Sequence, residues 1–406
     1  MQERLEKYVD LLLDFCLKIK KSSALLISIP AEHIELARIV ASKAYIKGIK
    51  DIHFEFTDMY IKHEQLINLS KEELKKDKRW NKQVFNEYAN KNASFLSFTT
   101  EYPGLMKDVD PKLISSMDQY VRTTTLEFDN ARSNGDLAWC IAAVPSKMWA
   151  EKVFPNCEDS YQKLWDAIFD ICLINEENPV SAWEQKIKHL KTKTNILNTL
   201  AIKSLHYTNS LGTDLTIELP KNHIWISASN LVSDGREVIF NMPSEEIFTV
   251  PKKDGANGIV YSSLPLIHNG VIINKFALTF ESGKVVSVKA ESGEEMLIEM
   301  IASDPKGNML GEVALVPYDS PIRNSETIFY ETLFDENASC HVALGQGYTN
   351  CITNYQEYTK EELFELGVND ALIHVDFMIG TADLDIIATT RDGKKIQIFK
   401  DGNYNI

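Results

Sequence analysis

The strongest constraint on the fold is an early alternation of helical and strand-like periodicity. Residues 24–29 (Ala24-Leu25-Leu26-Ile27-Ser28-Ile29) form a short apolar run, closed by Pro30, that reads as a buried strand. Helical patterns flank it over 3–21 and 32–47, and Gly48 stands where a helix C-cap is expected. Residues 51–56 then alternate like a second strand. Strand, helix and strand in that order predict a βαβ-type beginning and a parallel sheet. No Gly-x-Gly-x-x-Gly follows the first strand, so a dinucleotide site is not supported.

Residues 137–144 read as a further apolar strand, and the helical segments after it carry Trp149, Trp165 and Trp183, expected to pack in a core or interface. A lysine-rich helix over 181–205 is a plausible hinge. From about 206 the texture changes to short β-rich runs with frequent turns, and 278–284 reads as a hairpin. The expected organisation is an α/β N-terminal domain with a parallel-type sheet at 1–200 and an α+β, β-rich C-terminal domain at 201–406. A chain of 406 residues is long enough for two buried cores.

A net charge of −15 argues against a nucleic-acid surface, which needs a basic patch. The N-terminus carries acids early and opens an amphipathic helix rather than a signal peptide, and no apolar stretch is long enough to span a bilayer. Six cysteines are spread thinly without a Cys-x-x-Cys pair, so reduced, mostly buried thiols and a cytoplasmic location are expected. Without secretion, the glycosylation sequon at Asn337-Ala338-Ser339 carries no meaning.

The chemistry is concentrated after residue 240. Glu246, Glu312, His341, His374 and Asp376 each sit in an apolar, strand-like run where a bare charge is costly to bury. His374 and Asp376 are two apart, so in a strand both project from one face. Their nitrogen and oxygen donors suit zinc, cobalt or manganese. Each residue also has a plain structural explanation. His374 with Asp376 is a buried hydrogen-bonded pair, and Glu312 an edge or outward position. His341 is a core imidazole satisfied by backbone groups. Glu245 and Glu246 are the solvated start of a short helix capped by Ser244. Spacing alone does not show that the segments converge.

Four longer motifs carry a resemblance. They are Asn241-Met242-Pro243-Ser244-Glu245-Glu246-Ile247-Phe248-Thr249, then Leu310-Gly311-Glu312-Val313 continuing to Pro321, then 332–341 ending in Ser339-Cys340-His341, then His374-Val375-Asp376-Phe377-Met378. Together with Trp149-Ala150-Glu151-Lys152-Val153-Phe154-Pro155 and Gly212-Thr213-Asp214-Leu215, the chain closely resembles the aminopeptidase T and aminopeptidase S family of metalloaminopeptidases. The resemblance covers most of the chain. It implies a cytoplasmic, homodimeric exopeptidase acting on peptides with a free N-terminus, without nucleic-acid or membrane partners. It also implies two divalent metal ions per subunit (zinc, cobalt or magnesium) in the C-terminal half. By motif position the ligands are Glu246, Glu312, His341, His374 and Asp376, and Tyr348 matches the family's catalytic tyrosine. Left to the sequence alone, Tyr348 reads as a buried aromatic. Departures from the family pattern occur at Asn369-Asp370-Ala371, Ile386-Ile387-Ala388 and Ser263-Leu264-Pro265-Leu266, none of them a proposed ligand.

On this resemblance Glu246 is expected to bridge the two metals, a shared water to be the nucleophile, and Glu245 to carry the proton, with Glu312 as its competitor. A dinuclear phosphoesterase is the nearest alternative chemistry, disfavoured by the lack of clustered Arg or Lys around the ligand motifs. A metal-stabilised peptide-binding protein without turnover is the alternative from another class.

Overall fold

The computed structural model describes residues 1–75 and 79–406, and of 79–82 only the backbone. Contacts divide the chain into two units: Met1–Ile187 with Ala228–Ser244, and Lys188–Ser227 with Glu245–Ile406.

The first unit is built on a five-stranded sheet in the order Asn241–Met242, Trp139–Ala143, Ser94–Thr99, Ala24–Pro30, Asp51–Thr57. Every neighbouring pair is parallel, as the strand–helix–strand beginning predicts. Leu25, Leu26, Ile27 and Ile29 are fully buried. A strand covered on both faces reads as a continuous apolar run rather than an alternating one. Trp149, Trp165 and Trp183 are all buried, as expected.

The helices depart from the sequence prediction in detail. The pattern over 3–21 becomes an α-helix, Gln2–Asp10, followed by a π-helix, Leu11–Cys16, and Lys18 at φ 44° stops it. Leu11, Leu12, Leu13, Cys16 and Leu17 are buried nearly all round, so no single apolar stripe of α-helical period is imposed there. The next helix enters through a 3-10 turn, Ala31–His33, and runs over Ile34–Ile46. Gly48 follows at φ +90°, the left-handed conformation expected just past a helix end, and a Cβ there would meet the Lys21 side chain at 2.8 Å. The lysine-rich helix is Pro179–Thr199, shorter at its end than predicted.

Residues 228–244 belong with the first unit although they follow the change of texture. Arg236, only 8% exposed, grips the Asp234 carboxylate and donates to the Leu17 carbonyl and the Ser94 hydroxyl. Phe240 stacks on Trp139 with centroids 4.4 Å apart, next to the point where Asn241–Met242 joins the sheet.

The second unit is antiparallel. Its larger sheet has eight strands, beginning with the hairpin Ala277–Glu281 and Lys284–Lys289. Ser282 at φ 48° and Gly283 at φ 82° make the two-residue turn, the backbone such a hairpin favours. Its smaller sheet has the order His374–Met378, His341–Gly345, Leu310–Leu315, Ile247–Thr249, Ile226–Ser227. All six residues of the central strand, Leu310–Leu315, are buried. The six cysteines are free thiols, and only Cys157 is not buried. Among the described residues no helix is long and apolar enough to cross a membrane.

Candidate metal centre

Strand register brings four of the predicted residues, Glu312, His341, His374 and Asp376, to one face of the smaller sheet. Ala343 lies opposite Glu312 on one side and Asp376 on the other, so these three share a face. His341 is two residues from Ala343 and His374 two from Asp376, which puts both imidazoles on that same face. The row between the charged side chains is filled by Ala343 and Gly345, so the face has a low floor and charged walls. Glu312 owes its place to a β-bulge: Leu310 pairs with Leu344 but Glu312 with Ala343, leaving Gly311 as the extra residue. A Cβ on Gly311 would stand 2.2 Å from the Gln346 carbonyl oxygen, so only glycine fits.

Glu312 stands at the middle of the cluster and turns its two oxygens to different partners. Oε1 faces His341 Nε2 at 3.7 Å, while Oε2 faces His374 Nε2 at 3.3 Å. His341 Nε2 is also 3.2 Å from Glu246 Oε2, and His374 Nε2 is 3.4 Å from Asp376 Oδ1. Three sets of donor atoms lie within 4.8 Å of one another: Glu246, Glu312 and His341; Glu312, His374 and Asp376; Glu336, His341 and Asp376. Glu246, the carboxylate expected from the sequence to be shared, approaches His341 alone among the two imidazoles, whereas Glu312 faces both.

Both imidazoles are oriented from behind. His341 Nδ1 is 3.0 Å from the Ser339 carbonyl and His374 Nδ1 is 2.8 Å from the Gln346 carbonyl, so each Nδ1–H donates to backbone and Nε2 is left for the cluster. Burial opposes charge on these rings, yet neighbouring carboxylates dominate. Glu246 and Glu312 hold His341 well above the usual imidazole range, and Asp376 and Glu312 do the same for His374. Burial raises Glu246, and burial with the nearby Asp376 and Glu246 raises Glu336 well above the ordinary carboxylate range. Asp376 goes the other way: burial pushes it up, but the His374 and His341 imidazoles and a backbone N–H together bring it below the ordinary carboxylate range.

The donor set fits a divalent metal. Four carboxylates face two imidazoles, a charge that two divalent cations would neutralise. Asp376 Oδ1 is buried and accepts no hydrogen bond, an acceptor left for a cation. Nitrogen and oxygen donors in this proportion suit zinc, cobalt, manganese or magnesium.

Several plain structural readings of these residues do not hold. Glu312 is 4% exposed in the central strand, not at an edge. Glu245 and Glu246 are 6% and 7% exposed, and residues 243–246 are not helical, so Ser244 caps nothing and its hydroxyl is buried without a partner. Tyr348 is half-buried, its ring 4.8 Å from that of His374 and 5.6 Å from that of Phe248. Sequence reasoning missed Glu336, which sits on a 3-10 turn, Glu336–Ala338, outside any strand. Its only signal was its place in the quoted run, five residues before His341.

Fold and site together define a metal-dependent hydrolase with its charged centre on an antiparallel sheet. Residues 1–404 match the model of the thermophilic metalloprotease (M29) family. Aminopeptidase AmpS of Bacillus subtilis is 37% identical over 404 residues, covering 99% of this chain and 98% of that one. Aminopeptidase 2 of Geobacillus stearothermophilus is 38% identical over 405 residues, with 99% and 98% covered. The solved structure of wild-type AmpT from Thermus thermophilus superposes with a TM-score of 0.90 at 29% identity, covering 100% of both chains. The chain belongs to the thermophilic metalloprotease (M29) family and is an enzyme of the metalloaminopeptidase class. Family membership implies a divalent metal and peptide substrates.

Proposed function

We propose that this enzyme removes the N-terminal residue from peptides with a free α-amine, using two divalent cations. Glu246, Glu312 and His341 would hold one, and Glu312, His374 and Asp376 the other, with Glu336 completing the set from the His341 and Asp376 side. The observation that carries this reading is the Glu312 carboxylate, which presents one oxygen to each of two imidazoles. When bound, the cations supply Lewis acidity, polarising the scissile carbonyl and acidifying an attacking water.

The chain's own residues do the rest. Glu245 belongs to none of the three donor sets, yet it is buried next to Glu246. It takes the nucleophile's proton and returns it to the leaving amine. Glu312, committed between the two imidazoles, is unsuited to that exchange. Tyr348 stands against His374 and donates its hydroxyl to the oxyanion. The identity of the metal among zinc, cobalt and magnesium, the homodimer and the cytoplasmic location belong to the same proposal. Metal analysis, light scattering and cell fractionation check them.

The decisive assay compares an aminoacyl-nitroanilide with nitrophenyl phosphate, using chelator-stripped protein reloaded with zinc, cobalt or magnesium. Release of nitroaniline and two metals per chain are expected. Phosphate release instead would turn the reading to phosphoesterase chemistry, and tight peptide binding without turnover would turn it to a binding protein. Tyr348→Phe is expected to bind both metals and lose about 10²-fold in kcat. Full activity in that variant removes Tyr348 from the mechanism.

A further inference from the structure

The proposed ligands are held in two different ways. Glu312, His341, His374 and Asp376 lie within strands, so the hydrogen-bond ladder fixes their backbones. Glu246 and Glu336 do not. Glu246 ends the non-helical stretch 243–246, anchored on its far side by Ile247 pairing with Leu315, and Glu336 opens a 3-10 turn. Side chains in a metal centre must be held to within a fraction of an ångström, and short irregular segments do not achieve that unaided.

One buried amide connects the two segments. Asn337 has no solvent exposure. Its Oδ1 accepts the Glu245 backbone N–H at 2.6 Å, across 92 residues of sequence. Its Nδ2 donates to the Leu333 carbonyl at 2.8 Å and reaches Glu336 Oε1 at 3.5 Å. The same side chain therefore fixes the backbone leading into Glu246, holds the body of Glu245 and directs one oxygen of Glu336. A buried amide with both ends engaged is rigid, and removing it leaves a backbone N–H without a partner.

We infer that Asn337 is a positioning residue of the metal centre, setting the off-strand acids Glu245, Glu246 and Glu336 against the four residues that the sheet already fixes. It acts through these acids and touches no substrate. The inference rests on the metallopeptidase reading above.

The test uses the full chain, stripped with chelator and titrated with cobalt(II), whose visible spectrum reports ligand geometry. Asn337→Leu keeps the branched shape and the number of heavy atoms and removes both polar ends. It is expected to bind cobalt about 10- to 100-fold more weakly, in the range for lost outer partners of metal ligands, with an altered visible band. At saturating metal, kcat falls while KM for the aminoacyl substrate stays near the wild-type value. A merely structural role would lower the urea midpoint of stripped protein but leave the spectrum and affinity of the folded fraction unchanged.

Asn337→Asp keeps the size and the acceptor oxygen for Glu245 while losing the donor toward Glu336, so it carries the test if the leucine variant does not fold. Its cobalt band must also differ from wild type. A folded variant of either kind with the wild-type band, affinity and kcat overturns the inference. Wild-type protein that neither binds cobalt nor cleaves aminoacyl substrates overturns the proposed function instead, so the two failures are distinguishable.

Discussion

The parallel sheet of the first unit and the smaller antiparallel sheet of the second each contain an interior strand that is almost wholly buried, but the two strands differ in what they bury. In the first, Leu25, Leu26, Ile27 and Ile29 are fully buried with apolar neighbours on both faces. In the second, the equally buried strand Leu310–Leu315 carries Glu312, 4% exposed, and its neighbours add His341 and Asp376 on the same face. Burial by itself does not mark a site. Burying several like-charged groups together does, because the arrangement is costly unless a cation or proton offsets it.

That contrast is open to direct attack, and the largest effect is expected at Glu312. Glu312→Gln keeps the shape but takes away the charge that faces both imidazoles. It should lose at least one metal and about 10³-fold in kcat/KM, the equivalent of several kcal/mol of transition-state stabilisation. Near-normal turnover with two metals bound would remove the special place given to this strand. In the first unit, Leu26→Ala empties a fully buried position packed with Phe95 and Trp139. It should lower unfolding stability by about 3 kcal/mol, read by urea denaturation, while cobalt affinity of the folded protein stays unchanged. A large change in metal affinity would mean that the two regions are not separable in this way.

A smaller effect comes from His223, which burial pushes down to about 4 while its Nδ1–H donates to the Pro220 carbonyl at 2.7 Å. A depressed pKa in the folded state means stability that is present above the unfolded value, near 6.5, and lost as pH falls toward 4. From pH 7 to pH 5 this ring should account for about 2 kcal/mol of lost stability. His223→Gln should show that much less acid sensitivity than wild type, and equal slopes would exclude the assignment. Smallest is Ser146→Ala in the first unit, which deletes the hydroxyl that caps the helix Lys147–Val153 at the Trp149 N–H and donates to the Glu101 carbonyl. About 1 kcal/mol of stability should go, with no change in kcat.

Much of the architecture was legible because it rests on local periodicity. An apolar run of strand length and a helix ending at Gly48 give the parallel sheet, and a two-residue turn at Ser282 and Gly283 gives the hairpin. Periodicity failed where every residue but Asp14 is buried, as in Leu11–Cys16, since no apolar stripe then distinguishes one helical winding from another. It also failed for residues 228–244, whose place in the first unit depends on Arg236, Phe240 and the short strand Asn241–Met242.

The site divides along the same line. Sequence by itself put His374 and Asp376 on one face, because side chains alternate along a strand, and family motifs named the remaining residues. Only tertiary structure decided that Glu312 rather than Glu246 stands between the two imidazoles, since that follows from a bulge at Gly311 and from cross-strand register. Glu336 and Asn337 likewise come to the cluster only through the fold. They lie on an irregular turn with no period to read, and their partners are distant in the chain, where contact is fixed by packing and not by spacing.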